Sequence, residues 1–160
     1  MLLPACLQPA TAVLDCIGDA AWPGRARASA RVLELGAPRK IVAIQFRSTS
    51  LKGWRATGAK LVVHLERGRC DGVLMAAYAA KFNEKARSLP RPTAPAVQAA
   101  CSEAGAGWWQ IDLPAALAQR LVDEPNGAIV LSRTGKAPML LHSRETLSFA
   151  PRLVVEGLAP

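Results

Sequence analysis

Three kinds of side chain in this sequence could do chemistry: loop tryptophans set among cations, two histidines, and four cysteines. Trp54 stands between Lys52 and Arg55, and Trp22 stands three residues before Arg25. An indole is a flat apolar plate with one polar handle, the shape that stacks on the apolar face of a sugar ring. Cations on either side can pair with carboxylates or sulfates. Trp54 with Lys52 and Arg55, and Trp22 with Arg25, are therefore the candidate ligand-binding residues. The competing reading is that both tryptophans fill the ends of a core, since Trp is highly buried on average. His64 and His142 fall on alternating positions of strand-like runs with no partner nearby in sequence, the pattern of ordinary surface or edge histidines. Ser143, Arg144 and Glu145 stand together at a strand end and read as a turn with an Arg–Glu pair. The chain has no G-x-S-x-G elbow, no H-E-x-x-H and no phosphate-cradling glycine loop, and no spacing of its acids sets two carboxylates across a cleft. The expectation is a non-enzyme.

The charge supports an anionic partner. Residues 25–60 carry nine basic side chains (Arg25, Arg27, Arg31, Arg39, Lys40, Arg47, Lys52, Arg55 and Lys60) against the single acid Glu34, while the remaining chain balances at eleven of each sign. The net +8 is thus concentrated in one segment, which attracts and steers anions. A solvated arginine-rich surface is the alternative. Nucleic acid ranks last as a partner, because the aromatic-plus-basic strand pattern of single-strand binders is missing.

The elements that must position these residues read as short strands. Gly107-Trp108-Trp109-Gln110-Ile111-Asp112-Leu113-Pro114 alternates strictly, which turns Trp109, Ile111 and Leu113 inward and Trp108, Gln110 and Asp112 outward. Asp112 is expected to cap a helix of about two turns over Pro114–Val122, closed by Pro125-Asn126-Gly127. Further strands are expected over Thr11–Ile17, Ala26–Leu35, Lys40–Arg47, Ala59–Glu66, Val73–Ala80, Ala128–Ser132, Met139–Ser143 and Arg152–Glu156. Gly18–Arg25, Ser48–Thr57 and the proline-bearing Lys81–Ala106 read as loops. About nine short strands with one helix predict an all-β fold, an antiparallel two-sheet β-sandwich, jelly-roll-like. Its core should hold Leu61, Val63, Leu65, Trp109, Ile111, Ile129, Leu131, Leu153 and Val155. Residues 1–9 read as an N-terminal tail, a signal remnant or an added start, and residues 10–160 as one module. No apolar run is long enough for a membrane span.

Cys6, Cys16, Cys70 and Cys101 make an even count without zinc-site spacing. Cys70 and Cys101 both fall at element ends and are the preferred disulfide, with Cys6–Cys16 second. Four reduced thiols remain the alternative.

Taken in order, Trp108–Asp112, the helix Leu117–Val122, Asn126-Gly127, Ala128–Ser132, Ser143-Arg144-Glu145 and Pro151-Arg152-Leu153-Val154-Val155 resemble the DNRLRE-type domain. This is a β-sandwich module of bacterial and archaeal secreted proteins that overlaps a class of carbohydrate-binding modules. Lys40–Arg47, Ser48–Thr57 and Gly58–Glu66 fit its upstream part, and the resemblance covers most of residues 10–157. It implies a non-catalytic module of a secreted or cell-surface protein with neighbouring domains, binding an acidic polysaccharide, alginate-like or sulfated. It also implies a structural calcium as the one cofactor to look for. The nearest carboxylates are Asp15 and Asp19, beside a Trp22–Arg31 stretch that is cationic where the family is polar. The alternative function is a structural or protein-interaction domain of an extracellular protein with no sugar site.

Overall fold

The computed structural model describes residues 6–22, 31–36, 40–86, 88–135 and 137–160. Its strands are β1 (Gln8–Trp22), β2 (Val32–Leu35), β3 (Ile41–Phe46), β4 (Arg55–Arg67), β5 (Leu74–Ala79), β6 (Val97–Gln98), β7 (Ala100–Gly105), β8 (Trp108–Leu113), β9 (Ala128–Arg133), β10 (Met139–His142) and β11 (Arg152–Ala159). One α-helix, α1 (Ala115–Asp123), lies between β8 and β9. Among the described residues all the strand pairs are antiparallel. The fold is an all-β sandwich with one short helix, as the alternation of short segments predicts.

Strand β1 joins the two halves. Its first part, Gln8–Asp15, pairs with β11, and the ladder continues through β4 and β8 to β7. A bulge between Cys16 and Gly18 redirects the strand, and Cys16–Trp22 pairs with β3, followed by β9, β5 and β6. Bulges bend a strand and strengthen its twist, which lets one strand serve both sheets. The inward residues of both halves share one core: Leu14, Leu61, Val63, Ile111, Leu153 and Val155 from the first half, and Val42, Ile44, Ile129 and Leu131 from the second. Trp109 is half-buried and packed against that core rather than enclosed in it. At its far end β4 also pairs with β10, which carries β2.

Helix α1 closes the core between the halves. Leu117, Ala118, Leu121 and Val122 are its buried face, and Gln119 fastens the other side. Its Oε1 accepts the Ala56 N–H at 2.8 Å, and its Nε2 donates to the Trp54 carbonyl at 3.3 Å. Pro114, not Asp112, occupies the N-cap position, and no side chain caps the helix. Asp112 belongs to β8, opposite Lys60 on one side and Ala100 on the other, so its exposed side chain projects from the outer face and accepts from Gln110 Nε2 at 3.0 Å. The expected Asp112 cap is therefore wrong, because the strand runs one residue further than a cap geometry would allow.

Two further expectations need correction. The first strand does not stop at Ile17 but continues to Trp22, so Gly18–Trp22 is strand rather than loop. The span Lys81–Ala106 also contains β6 and β7. Strand β7 reads Ala-Cys-Ser-Glu-Ala-Gly, with no β-branched or large aromatic residue, so its sequence lacks the composition that marks strands. Its pairing with β8 and its disulfide supply what its composition does not. Of the expected Ala26–Leu35 strand, Val32–Leu35 is present and residues 26–30 lie outside the described residues. Among the described residues no helix is long and apolar enough to cross a membrane.

Candidate functional site

The cationic tryptophan site is partly assembled. The 3-10 turn Thr49–Leu51 ends at Lys52, and β4 begins at Arg55, so the three residues sit where a loop enters a long strand. Lys52 and Arg55 are exposed, and among the described residues neither forms an ion pair. Trp54 is half-buried and packs against the core, with its backbone N–H on the Leu51 carbonyl at 2.9 Å. A hollow of about 260 Å³ adjoins Lys52, with Asp123 on its other wall.

Trp22 does not form a platform. It is 4% exposed and meets Phe82 edge-on with ring centroids 6.4 Å apart. Ala20, Ala43, Ala77, Ala79, Ala128 and Val130 form a flat outer surface on the second half of the sandwich, and Trp22 and Phe82 cover it. Small residues leave the room that the two large rings fill, which is why a residue read as exposed loop is enclosed. Arg25 lies outside the described residues, as do Arg27 and Arg39. Within the rest of the basic segment, Lys40 pairs with Glu34, and Lys60 with Glu156 at 3.5 Å. Arg31 and Arg47 are exposed without an ion pair among the described residues.

A second constellation was not anticipated. His64 on β4 stands opposite Trp108 on β8, both outward, with ring centroids 5.1 Å apart. Strand β10 lies alongside the end of β4 and brings His142 to stack on His64 at 5.0 Å, the planes 17° apart. The segment Arg144–Phe149 folds back as a broken 3-10 turn and sets Phe149 on His64 at 4.1 Å. Gly107 makes the close approach of the β7–β8 turn possible: its φ is +81°, and a Cβ there would stand 2.7 Å from His64 Nε2. Beside the rings opens a hollow of about 630 Å³ walled by Arg31, Glu66, His142, Glu145, Leu147 and Phe149. Leu147 is 84% exposed and Phe149 40%. Leu147 has φ +35° and ψ −78°, a conformation a branched side chain rarely holds. Strand alternation places His64 and Trp108 outward, but nothing in the sequence tells which strands neighbour β4.

The base of this segment is held by a buried polar group. Asp19, 2% exposed, accepts the Arg144 N–H at 2.6 Å, and the Cys16 thiol lies 3.7 Å from the same oxygen. Arg144 pairs with Glu84 at 3.1 Å and Glu145 at 3.5 Å, and the Ser143 hydroxyl accepts the Glu145 N–H at 3.2 Å. Ser143, Arg144 and Glu145 thus form the expected turn and ion pair. Burial raises the Asp19 pKa to about 6, against the lowering effect of the Arg144 N–H. Burial, reinforced by Asp19, pushes the Cys16 thiol far up, so it remains protonated and a poor nucleophile.

The carboxylates nearest the expected calcium do not fit one. Asp15 is exposed and paired in register with Arg152, whereas Asp19 is buried and already accepts a backbone N–H. Calcium takes six to eight oxygen ligands, and among the described residues no group of three or more His, Cys, Asp or Glu gathers as a metal site. Cys70 and Cys101 form a disulfide, the preferred pairing; Cys6 and Cys16, the second pairing, are free. No family model matches the chain, and no curated protein matches it in sequence.

Proposed function

We propose that this chain is a non-catalytic module that binds an anionic polysaccharide, alginate-like or sulfated, as part of a secreted or cell-surface protein. The observation that carries the reading is Lys52 and Arg55, exposed and without acidic partners among the described residues on either side of Trp54. Two free cations three residues apart can meet successive carboxylates or sulfates of a polyanion, and the half-buried Trp54 supplies an apolar contact between them. The Cys70–Cys101 disulfide supports an oxidising compartment. The resemblance to the DNRLRE-type domain supports the same reading. With Trp22 buried, the site contracts to Lys52, Trp54 and Arg55, so binding should be weak and dominated by charge.

The test is titration with alginate and with a sulfated glycan at 0.1 M and 1 M salt, where the screening length falls from about 10 Å to about 3 Å. Wild type should bind at low salt and lose most of its affinity at high salt. Lys52→Ala/Arg55→Ala should bind far more weakly at low salt, and Trp54→Ala should lose affinity at both. Absence of binding to either glycan, or equal binding by the double variant, would replace this reading with the interaction-domain alternative.

A further inference from the structure

We infer that the strap Ser143–Phe149 is a pH-operated latch, held shut by neutral His64 and His142 and released when both imidazoles are protonated.

The tautomer follows from the contacts. His64 Nε2 lies 3.1 Å from the Ala106 carbonyl, which can only accept, so Nε2 carries the proton of the neutral ring and Nδ1 is bare. The Nδ1 atoms of both His64 and His142 are buried and have no partner among the described residues. A bare ring nitrogen tolerates this placement; a protonated one becomes a buried donor with no acceptor. Burial and the proximity of His64 lower the pKa of His142.

A single charge in the ring pair has favourable neighbours. Phe149 stacks on His64 at 4.1 Å, and an aromatic face attracts a cation. Glu66, with its Oε2 3.9 Å from His142 Nε2, also favours one charge. A second proton sets two like charges in rings stacked 5.0 Å apart, and these repel. The remaining charges near the rings do not cancel this repulsion. Arg31 lines the same hollow, Arg144 is engaged by Glu84 and Glu145, and Arg152 on β11 stands opposite Asp15 on β1.

The strap is the element able to yield. His64 and His142 belong to paired strands, whereas Phe149 hangs on a segment broken at Thr146 and Leu147, with Leu147 at positive φ. Its outer turn rests on the Thr146 N–H to Ser143 carbonyl bond at 3.1 Å and the Ala150 N–H to Leu147 carbonyl bond at 3.3 Å. Displacing Phe149 relieves Leu147 and opens the rings to water, which enlarges the hollow beside them.

Amide hydrogen exchange of the wild-type chain at pH 7.5 and pH 5.0, expressed as protection factors, tests the latch. The Thr146 and Ala150 amides should lose protection at least tenfold at pH 5.0, while Leu61 and Val63 in the core do not change. His142→Gln and His64→Gln, each of which removes one charge and keeps a polar side chain, should abolish the loss. Asp19→Asn should retain it, which separates the imidazoles from the buried carboxylate that accepts the Arg144 N–H of the strap. Constant protection in wild type, a loss that persists in either histidine variant, or a loss that disappears in Asp19→Asn would overturn the inference.

Discussion

Individual residues in this chain show where local spacing is informative and where it is not. Asp112 has the composition of a cap, two residues before a proline, yet it is a strand residue whose carboxylate meets Gln110. Asp112→Ala should therefore change stability by no more than about 0.5 kcal/mol, whereas loss of a real cap would cost about 1 kcal/mol; urea denaturation separates the two. Gly127 carries the opposite lesson. A Cβ at that position would overlap the hydroxyl end of the Tyr78 ring, whose hydroxyl donates to the Glu124 carbonyl. Gly127→Ala should cost about 1–3 kcal/mol through overpacking, read as a lower urea midpoint at unchanged slope. The Asn-Gly pair is legible as a turn; the reason it must contain glycine is a tyrosine forty-nine residues earlier. Asp19 gives a pH dependence of definite sign. Its folded pKa of about 6 lies above the ordinary 3.8, so the folded state holds the proton more tightly. Its contribution is present below about pH 4 and is lost as pH rises through about 6. His142 runs the other way: with its pKa lowered from 6.5, its contribution is present above about 6.5 and is lost as pH falls. Asp19→Asn should remove the first slope and leave the second, as measured by stability at half-unit pH steps.

At the level of elements, strands with one buried face were readable and strands without one were not. Leu61, Val63 and Leu65 alternate with Lys60, Val62 and His64, and β4 follows that alternation with only its ends extended. Helix α1 is equally legible, since Leu117, Leu121 and Val122 bury one face as their spacing requires. Strand β7 has no such face: five of its six residues are exposed. It is an edge strand fixed by its ladder to β8 and by the disulfide to Cys70. Loss of that bond through Cys70→Ala/Cys101→Ala opens a loop with a sequence separation of 31 residues. In the chain-entropy account this costs about 3–4 kcal/mol. Because β7 has so little burial of its own, its amides should also lose protection first, before those of β4. Equal loss across both strands would show that the disulfide acts on the whole fold and not on this edge.

Across the whole molecule, the two candidate regions lie at opposite ends of one strand. Arg55 opens β4 and His64 stands nine residues further on, a separation of roughly 30 Å at strand rise. The cationic end was visible in the sequence because charge and aromatic neighbours are contiguous there. The ring cluster was not, because His64, Trp108, His142 and Phe149 come from four segments that only the order of the strands brings together. The separation has a thermodynamic consequence. Sites further apart than about 10 Å with no shared partners are usually additive, and this pair exceeds the screening length of about 10 Å at 0.1 M salt. The Lys52–Arg55 end and the strap should therefore act independently. His142→Gln should leave glycan affinity within twofold of wild type at pH 7.5, and Lys52→Ala/Arg55→Ala should leave strap protection unchanged at both pH values. Between the two ends β4 is paired on both edges, by β8 and β11. A strap variant that alters glycan affinity severalfold would show instead that the polysaccharide spans the strand and reaches the ring cluster, and titration of short and long oligosaccharides would then display the length dependence that independent ends do not produce.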